Sequence, residues 1–212
     1  MSDENDIDWS RRLKDEWEER AASPMRDFFV ASHRGWDDPE TWDGQARADV
    51  NFAMSQLEED WLARAHMLEI GCGVGRLVPH LRPLVASYTG TDISPSIVEE
   101  ARRRCDGVEG ARFFECDGAS VPEPACDREY DLILVFAVFI HCPLDVIRET
   151  IASAGKLLAP GGRIRCSIRG DVEDHRGIIA PEGHAEQVAA EVDDTVAQLE
   201  HMGVEELVNE RA

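Results

Sequence analysis

The stretch Leu68–Arg76, LEIGCGVGR, limits what this chain can fold into more than any other part of it. Met67–Ile70 is a short apolar run carrying one acid, Glu69, and Gly71, Gly73 and Gly75 then alternate with Cys72 and Val74. That pattern reads as a buried strand entering a glycine-rich turn, with a helix from about Arg76 onward. Glycine suits such a turn because a residue without Cβ takes positive φ and lets the backbone press against a ligand. The spacing is G-x-G-x-G, which differs from the G-x-G-x-x-G of dinucleotide dehydrogenases.

Four further elements follow downstream. Tyr88–Ile93 has strand composition, with Asp92 at its carboxyl end. In a doubly wound α/β sheet an acid there faces the glycine turn and accepts hydrogen bonds from both ribose hydroxyls of a nucleoside. Ser94 and Pro95 then read as the cap and first residue of a helix over Pro95–Arg104, with Ile97, Val98 and Ala101 facing inward. Phe113 and Phe114 mark a third strand within Ala111–Ala119, with Asp117 at its end. Tyr130–His141 is a long apolar run expected as a central strand buried on both faces. Gly161–Ile168 supplies a fifth strand, entered through Pro160-Gly161-Gly162. Helices are expected between them, over about 75–86, 95–104 and 143–158. Alternating strands and helices at this cadence imply a parallel sheet with right-handed crossovers.

These residues resemble the class I S-adenosylmethionine-dependent methyltransferases, over about Leu57–Arg169. LEIGCGVGR resembles the family's first motif, TGTDIS its acidic second and ECDGA its third; YDLILVFAVFIH and LLAPGGRI resemble the fourth and fifth. The resemblance implies an α/β, doubly wound, mostly parallel sheet and S-adenosylmethionine as cofactor, with S-adenosylhomocysteine as product and no metal. It places the cofactor against Glu69, Gly71, Cys72, Gly73, Arg76, Asp92, Ile93, Asp117, Gly118, Ala119 and Phe136. Asp117 and its neighbours would receive the adenine amino group.

Bulk properties narrow the acceptor. Asp and Glu total 43 against 22 Lys and Arg, a formal charge of −21, and a field of that sign repels phosphate backbones and anionic membranes. No apolar run approaches membrane-spanning length, and MSDENDIDWS has no apolar core of a signal peptide. The six cysteines are scattered without a C-x-x-C pair, as in a chain kept reduced in a cytoplasm. The seven histidines show no ligand-like spacing, so no zinc site is expected.

Residues 1–60 lie outside the sheet and are expected as a helical cap or lid on a core of 61–212. Trp9, Leu13 and Trp17 share one face of a helix over Asp8–Ala22, and four of the five tryptophans precede residue 45. A second helix is expected from about Gln45 to Arg64, with Val50, Met54, Leu57 and Trp61 on one face. Both ordinary packing on the sheet and an aromatic flap over the site satisfy this pattern. The carboxyl end is short for the family. Asp171–Pro181 reads as a loop, Gly183–Met202 as a helix and Val204–Ala212 as at most a short strand, leaving nothing for an antiparallel strand beside the fifth. An unpaired edge is a liability, so a homodimer through it is an open expectation.

His141, just past the fourth strand, is the candidate general base. It sits at the sheet edge where ligands bind in open α/β folds, and histidine ordinarily titrates near ~6.5. Pocket shaping is the alternative for it. Cys142 beside it is not expected to act, since adjacent strand residues point opposite ways. Three readings stay open: a methyltransferase acting on oxygen or nitrogen of a small metabolite, a protein-directed methyltransferase, and a non-catalytic cofactor-binding or assembly subunit.

Overall fold

A computed structural model describes residues 8–31, 35–167 and 177–179. Among the described residues four helices precede the sheet: α1 Trp9–Ala22, α2 Arg26–Ala31, α3 Pro39–Ala53 and α4 Glu59–Leu62. Then come β1 His66–Ile70, α5 Val78–Leu81, β2 Ser87–Asp92, α6 Pro95–Arg104, β3 Ala111–Glu115, β4 Tyr130–Val135, α7 Leu144–Gly155, β5 Leu158–Cys166 and β6 Gly177–Ile179. The sheet runs β3-β2-β1-β4-β5-β6, with the first five strands parallel and β6 antiparallel to β5. This is the expected doubly wound architecture. The strand order reverses between β1 and β4, which opens a crevice at the carboxyl ends of the strands, where such folds bind ligands.

Consecutive residues of the central strands feed opposite cores. Met67, Leu132 and Leu134 pack with α3, α5 and α6 residues, while Leu68, Ile133 and Val135 pack with Ile147 and Ile151 of α7. Both faces are covered, which explains why these strands read as unbroken apolar runs. Among the described residues no helix is long and apolar enough to cross a membrane.

Several boundaries differ from the sequence reading, each for a local reason. The first crossover helix is an α-helical turn over Val78–Leu81 and a 3₁₀ turn over Arg82–Leu84, shorter than the expected 75–86. Pro83 has no N–H to donate and its ring crowds the carbonyl one turn back. α3 starts at Pro39, ahead of Gln45, because Asp38 caps it by accepting the Thr41 N–H at 2.8 Å and Pro39 takes its first turn. It stops at Ala53, and Gln56 at φ 66° separates it from α4. β4 ends at Val135 and not at His141; Ala137 turns at φ 57°, and Phe139–His141 forms a 3₁₀ turn. The apolar run continues past the strand because Phe139 is buried in the α7-side core. β5 begins at Leu158, three residues before Gly161. Gly177–Ile179, inside the stretch expected as loop, pairs antiparallel with Ile164–Cys166, so the chain itself covers that part of the β5 edge. The expected helix over Gly183–Met202 and strand over Val204–Ala212 lie outside the described residues.

Candidate active site

The crevice holds an open cavity of about 900 Å³, a volume that includes the solvent space at its mouth. Its floor is the glycine turn. Gly71, Gly73 and Gly75 all have positive φ, at 74°, 55° and 77°. At Gly71 a Cβ would stand 2.2 Å from Val138 Cγ2 of the loop after β4, so only glycine lets the two loops approach. A Cβ at Gly73 would stand 3.0 Å from Val30 Cγ1 of α2, which lies over the turn.

Asp92 closes the end of β2 and faces that turn. Its carboxylate accepts the Gly73 N–H at 2.9 Å and the Ser94 N–H at 3.1 Å. It is only 8% exposed, and burial pushes its pKa up to about 6 against the pull of those backbone donors. Glu69 is deeper still, 2% exposed, and accepts the Tyr88 hydroxyl at 2.5 Å. Burial lifts its pKa to about 7, with the Tyr88 hydrogen bond and the nearby Arg76 cation opposing. Two carboxyl groups that titrate near neutrality under one cavity are a charge arrangement a cationic ligand would relieve. Arg76 pairs through Nη2 with Asp49 of α3 at 2.7 Å, while its buried Nη1 has no hydrogen-bond partner.

Of the residues singled out in the sequence, Glu69, Gly71, Cys72, Gly73, Arg76, Asp92, Ile93, Gly118, Phe136 and His141 line this cavity together. Asp117 and Ala119 do not. The Asp117 carboxylate is turned into its own loop, accepting the N–H groups of Ala119 at 2.9 Å and Ser120 at 2.6 Å and the Ser120 hydroxyl at 2.7 Å. Partial burial would raise its pKa, but those three donors outweigh it and lower it. Cys116 and Gly118 represent that loop in the wall instead. Gly118, at φ 88°, has Ile93 Cδ1 where a Cβ would need to be, at 2.5 Å.

Three lining elements were not read as site residues from the sequence. Leu13 and Trp17 of α1 and Val30 of α2 reach over the cavity from the amino-terminal segment, and Val138 and Cys142 join from the turn after β4. The Trp17 and His141 rings meet edge to face, with centroids 5.4 Å apart. α3 behaves differently: Val50, with Met54 and Leu57 just beyond the helix, is built into the core, and Trp61 of α4 packs against it. The segment thus divides into a packing half and a half that borders the site. His141 and Cys142 lie on a turn, not a strand, and both line the cavity. Burial pushes the Cys142 thiol up to about 12, so it stays protonated and weakly nucleophilic near neutral pH.

Residues 68–164 match the family model described as a methyltransferase domain. Over that stretch, just under half of its length, the chain is similar to the methyltransferase-domain family. Among curated relatives it is 31% identical to a demethylmenaquinone methyltransferase of Tropheryma whipplei over 131 residues, 57% of this chain and 53% of that protein. It is 27% identical to a ubiquinone biosynthesis O-methyltransferase of Xanthomonas oryzae over 146 residues, 65% of this chain and 57% of that protein. The chain therefore spans little more than half the length of these relatives. Among solved structures it resembles phosphoethanolamine N-methyltransferase 1 of Haemonchus contortus, held with phosphoethanolamine and S-adenosylhomocysteine. The TM-score is 0.61 at 19% identity, over 83% of this chain and 36% of that one, a likeness of fold.

Proposed function

We propose that this chain transfers the methyl group of S-adenosylmethionine to an oxygen or nitrogen of a small-molecule metabolite. The observation that carries the reading is the pairing of buried Asp92 with the glycine turn across one cavity, its carboxylate hydrogen-bonded to Gly73 N–H at 2.9 Å. The residues suit the cofactor. Asp92 offers acceptors for two ribose hydroxyls, and the free, buried Nη1 of Arg76 offers a donor for a carboxylate. Glu69 places negative charge beneath the cavity, where an ammonium or sulfonium would be favoured. The relatives named for quinone-pathway methylation, and the fold-mate that held S-adenosylhomocysteine, support the same assignment.

When bound, S-adenosylmethionine supplies an electrophilic methyl group that needs no covalent enzyme intermediate. The chain's share is alignment and proton handling. Holding the reactants in line is worth ~7–11 kcal/mol in favourable intramolecular cases. Leu13, Trp17, Val138 and Cys142 give the cavity an apolar side that excludes water, and His141 is the group there suited to take the acceptor's proton. Helices α1 and α2 serve as a lid in this reading, while α3 and α4 serve the core.

Calorimetric titration with S-adenosylmethionine and S-adenosylhomocysteine, followed by a screen of metabolite pools for S-adenosylhomocysteine release, tests the proposal. Binding with acceptor-dependent release supports it. Absence of binding removes it, and binding without release from any pool leaves a cofactor-binding subunit.

A further inference from the structure

Helix α1 carries two stripes side by side. Leu13 and Trp17, one turn apart, face the cavity; Lys14 and Glu18, one turn apart and one residue on, face the sheet edge and α6. The Glu18 carboxylate accepts the Ser96 N–H at 3.1 Å and the Ser96 hydroxyl at 2.8 Å, and the Ser94 hydroxyl donates to it as well. These groups form the first turn of α6, whose N–H groups have no partner within their own helix. Ser94 already caps that helix by accepting the Ile97 N–H at 3.1 Å, and its own N–H donates to Asp92 at 3.1 Å. A continuous path of hydrogen bonds therefore runs from α1 through Glu18, Ser94 and Asp92 to Gly73 of the glycine turn.

We propose that Glu18 is a positioning residue, which pins α1 to the first turn of α6 and so fixes Trp17 and Leu13 against His141 as the acceptor-side wall. Several features favour this over a plain surface contact. Glu18 is half-buried, and the desolvation that would raise its pKa is outweighed by the Ser94 and Ser96 hydrogen bonds, which lower it. The α6 amino terminus adds the positive end of a 10-residue helix to those bonds. A second tie of α1 to the sheet, the Lys14–Glu115 ion pair, has both side chains 40% or more exposed and holds weakly. Helix α2 has its own anchor on α6, Arg104 to Asp27 at 2.6 Å and Arg26 to Glu100 at 3.0 Å, and it meets α1 through Arg20 over the Phe29 ring at 5.6 Å; Glu18 is what ties α1 to α6 directly. What that wall serves rests on the methyl-transfer reading; where it stands does not.

The test reads Trp17 against His141 directly. The edge-to-face contact at 5.4 Å displaces the His141 ring-proton resonances, which Trp17→Leu measures and His141→Asn assigns in histidine-labelled protein. Glu18→Ala is expected to reproduce most of the displacement seen in Trp17→Leu. It is also expected to raise amide exchange in α1 by about tenfold or more, while β1 and β4 keep their protection. Glu18→Gln, whose amide oxygen still accepts from Ser96, is expected to keep the wild-type resonance and exchange. An unmoved His141 resonance in Glu18→Ala overturns the proposal. So does equal disturbance by Glu18→Gln, or loss of β1 and β4 protection, which would make Glu18 a residue of the fold at large. No cofactor is needed for these measurements, so their failure is distinct from failure to bind S-adenosylmethionine.

Discussion

Replacing Asp92 with alanine should produce two effects that pH separates. The first is geometric: the N–H groups of Gly73 and Ser94 lose an acceptor they reach at 2.9 and 3.1 Å. The Ser94 N–H is buried, and leaving it unpaired costs ~1–3 kcal/mol; the half-buried Gly73 N–H adds less. The second is electrostatic. Burial lifts Asp92 from 3.8 to about 6, so the ionised group opposes folding by ~3 kcal/mol. Because the folded pKa lies above the unfolded one, this cost is absent below about 4, grows as pH rises, and is complete above about 6. Asp92→Ala removes it. The variant should therefore be clearly less stable than wild type at acid pH, with the gap narrowing by ~3 kcal/mol toward pH ~8. Cofactor affinity should fall whatever the pH, by ~2–3 kcal/mol or ~30–150-fold, because the ribose hydroxyls lose their acceptor. Asp92→Asn, which keeps one acceptor oxygen, should lose less. Urea denaturation at two pH values and calorimetry with S-adenosylhomocysteine measure both effects. A stability gap that does not change with pH would refute the buried-charge argument. An affinity within twofold of wild type would show that the ribose is held elsewhere.

Other outcomes follow from neighbouring residues. Glu69, pushed from 4.5 to about 7, should ionise as the cationic cofactor binds, so S-adenosylmethionine affinity should rise between pH ~6 and ~8 with proton release; Glu69→Gln should remove the dependence, checked by calorimetry in buffers of different ionisation enthalpy. The folded-state pKa of Glu69 is also the higher one, so the cofactor-free protein should lose ~3 kcal/mol of stability as pH rises from about 4.5 to about 7, and little more above that. Gly71→Ala forces a Cβ to within 2.2 Å of Val138 Cγ2 at φ 74° and should cost ~1–3 kcal/mol in urea denaturation, partly recovered by Val138→Ala. His141→Ala should lower turnover by ~10²–10⁴ with cofactor affinity nearly intact if the imidazole is the base, and the wild-type rate should then fall on acidification. A His141→Asn variant that keeps most activity would assign it to pocket shaping.

The parts legible in the sequence are those whose cause is local. The glycine turn, Asp92 at a strand end and the Ser94-Pro95 helix start each state their geometry in a few residues, and the structure has all three. The strand end after Val135 was hidden because apolar residues record burial, and Phe139 is buried in a turn as deeply as its neighbours are in a strand. Asp117 sits at the expected strand end, yet Ser120 three positions on marks a local turn that captures its carboxylate. That signal was present in DGAS and outweighs proximity to the site. The α1 wall had no local signature. Leu13 and Trp17 showed only that one face is apolar, and which surface that face meets depends on Glu18 reaching Ser94 and Ser96, 76 and 78 positions away. β6 is three residues long, too short for a period to show.

Methyl transfer from this cavity to a small molecule is the proposed activity. It is tested most directly by incubating the protein with trideuteromethyl-labelled S-adenosylmethionine and a metabolite extract, then following the label by mass spectrometry. The wild-type chain is expected to yield a small-molecule product carrying one labelled methyl group. No such product is expected with Gly73→Val, whose side chain would intrude at the glycine turn beneath Val30. Label recovered only on protein, or the same product formed by Gly73→Val, would contradict it.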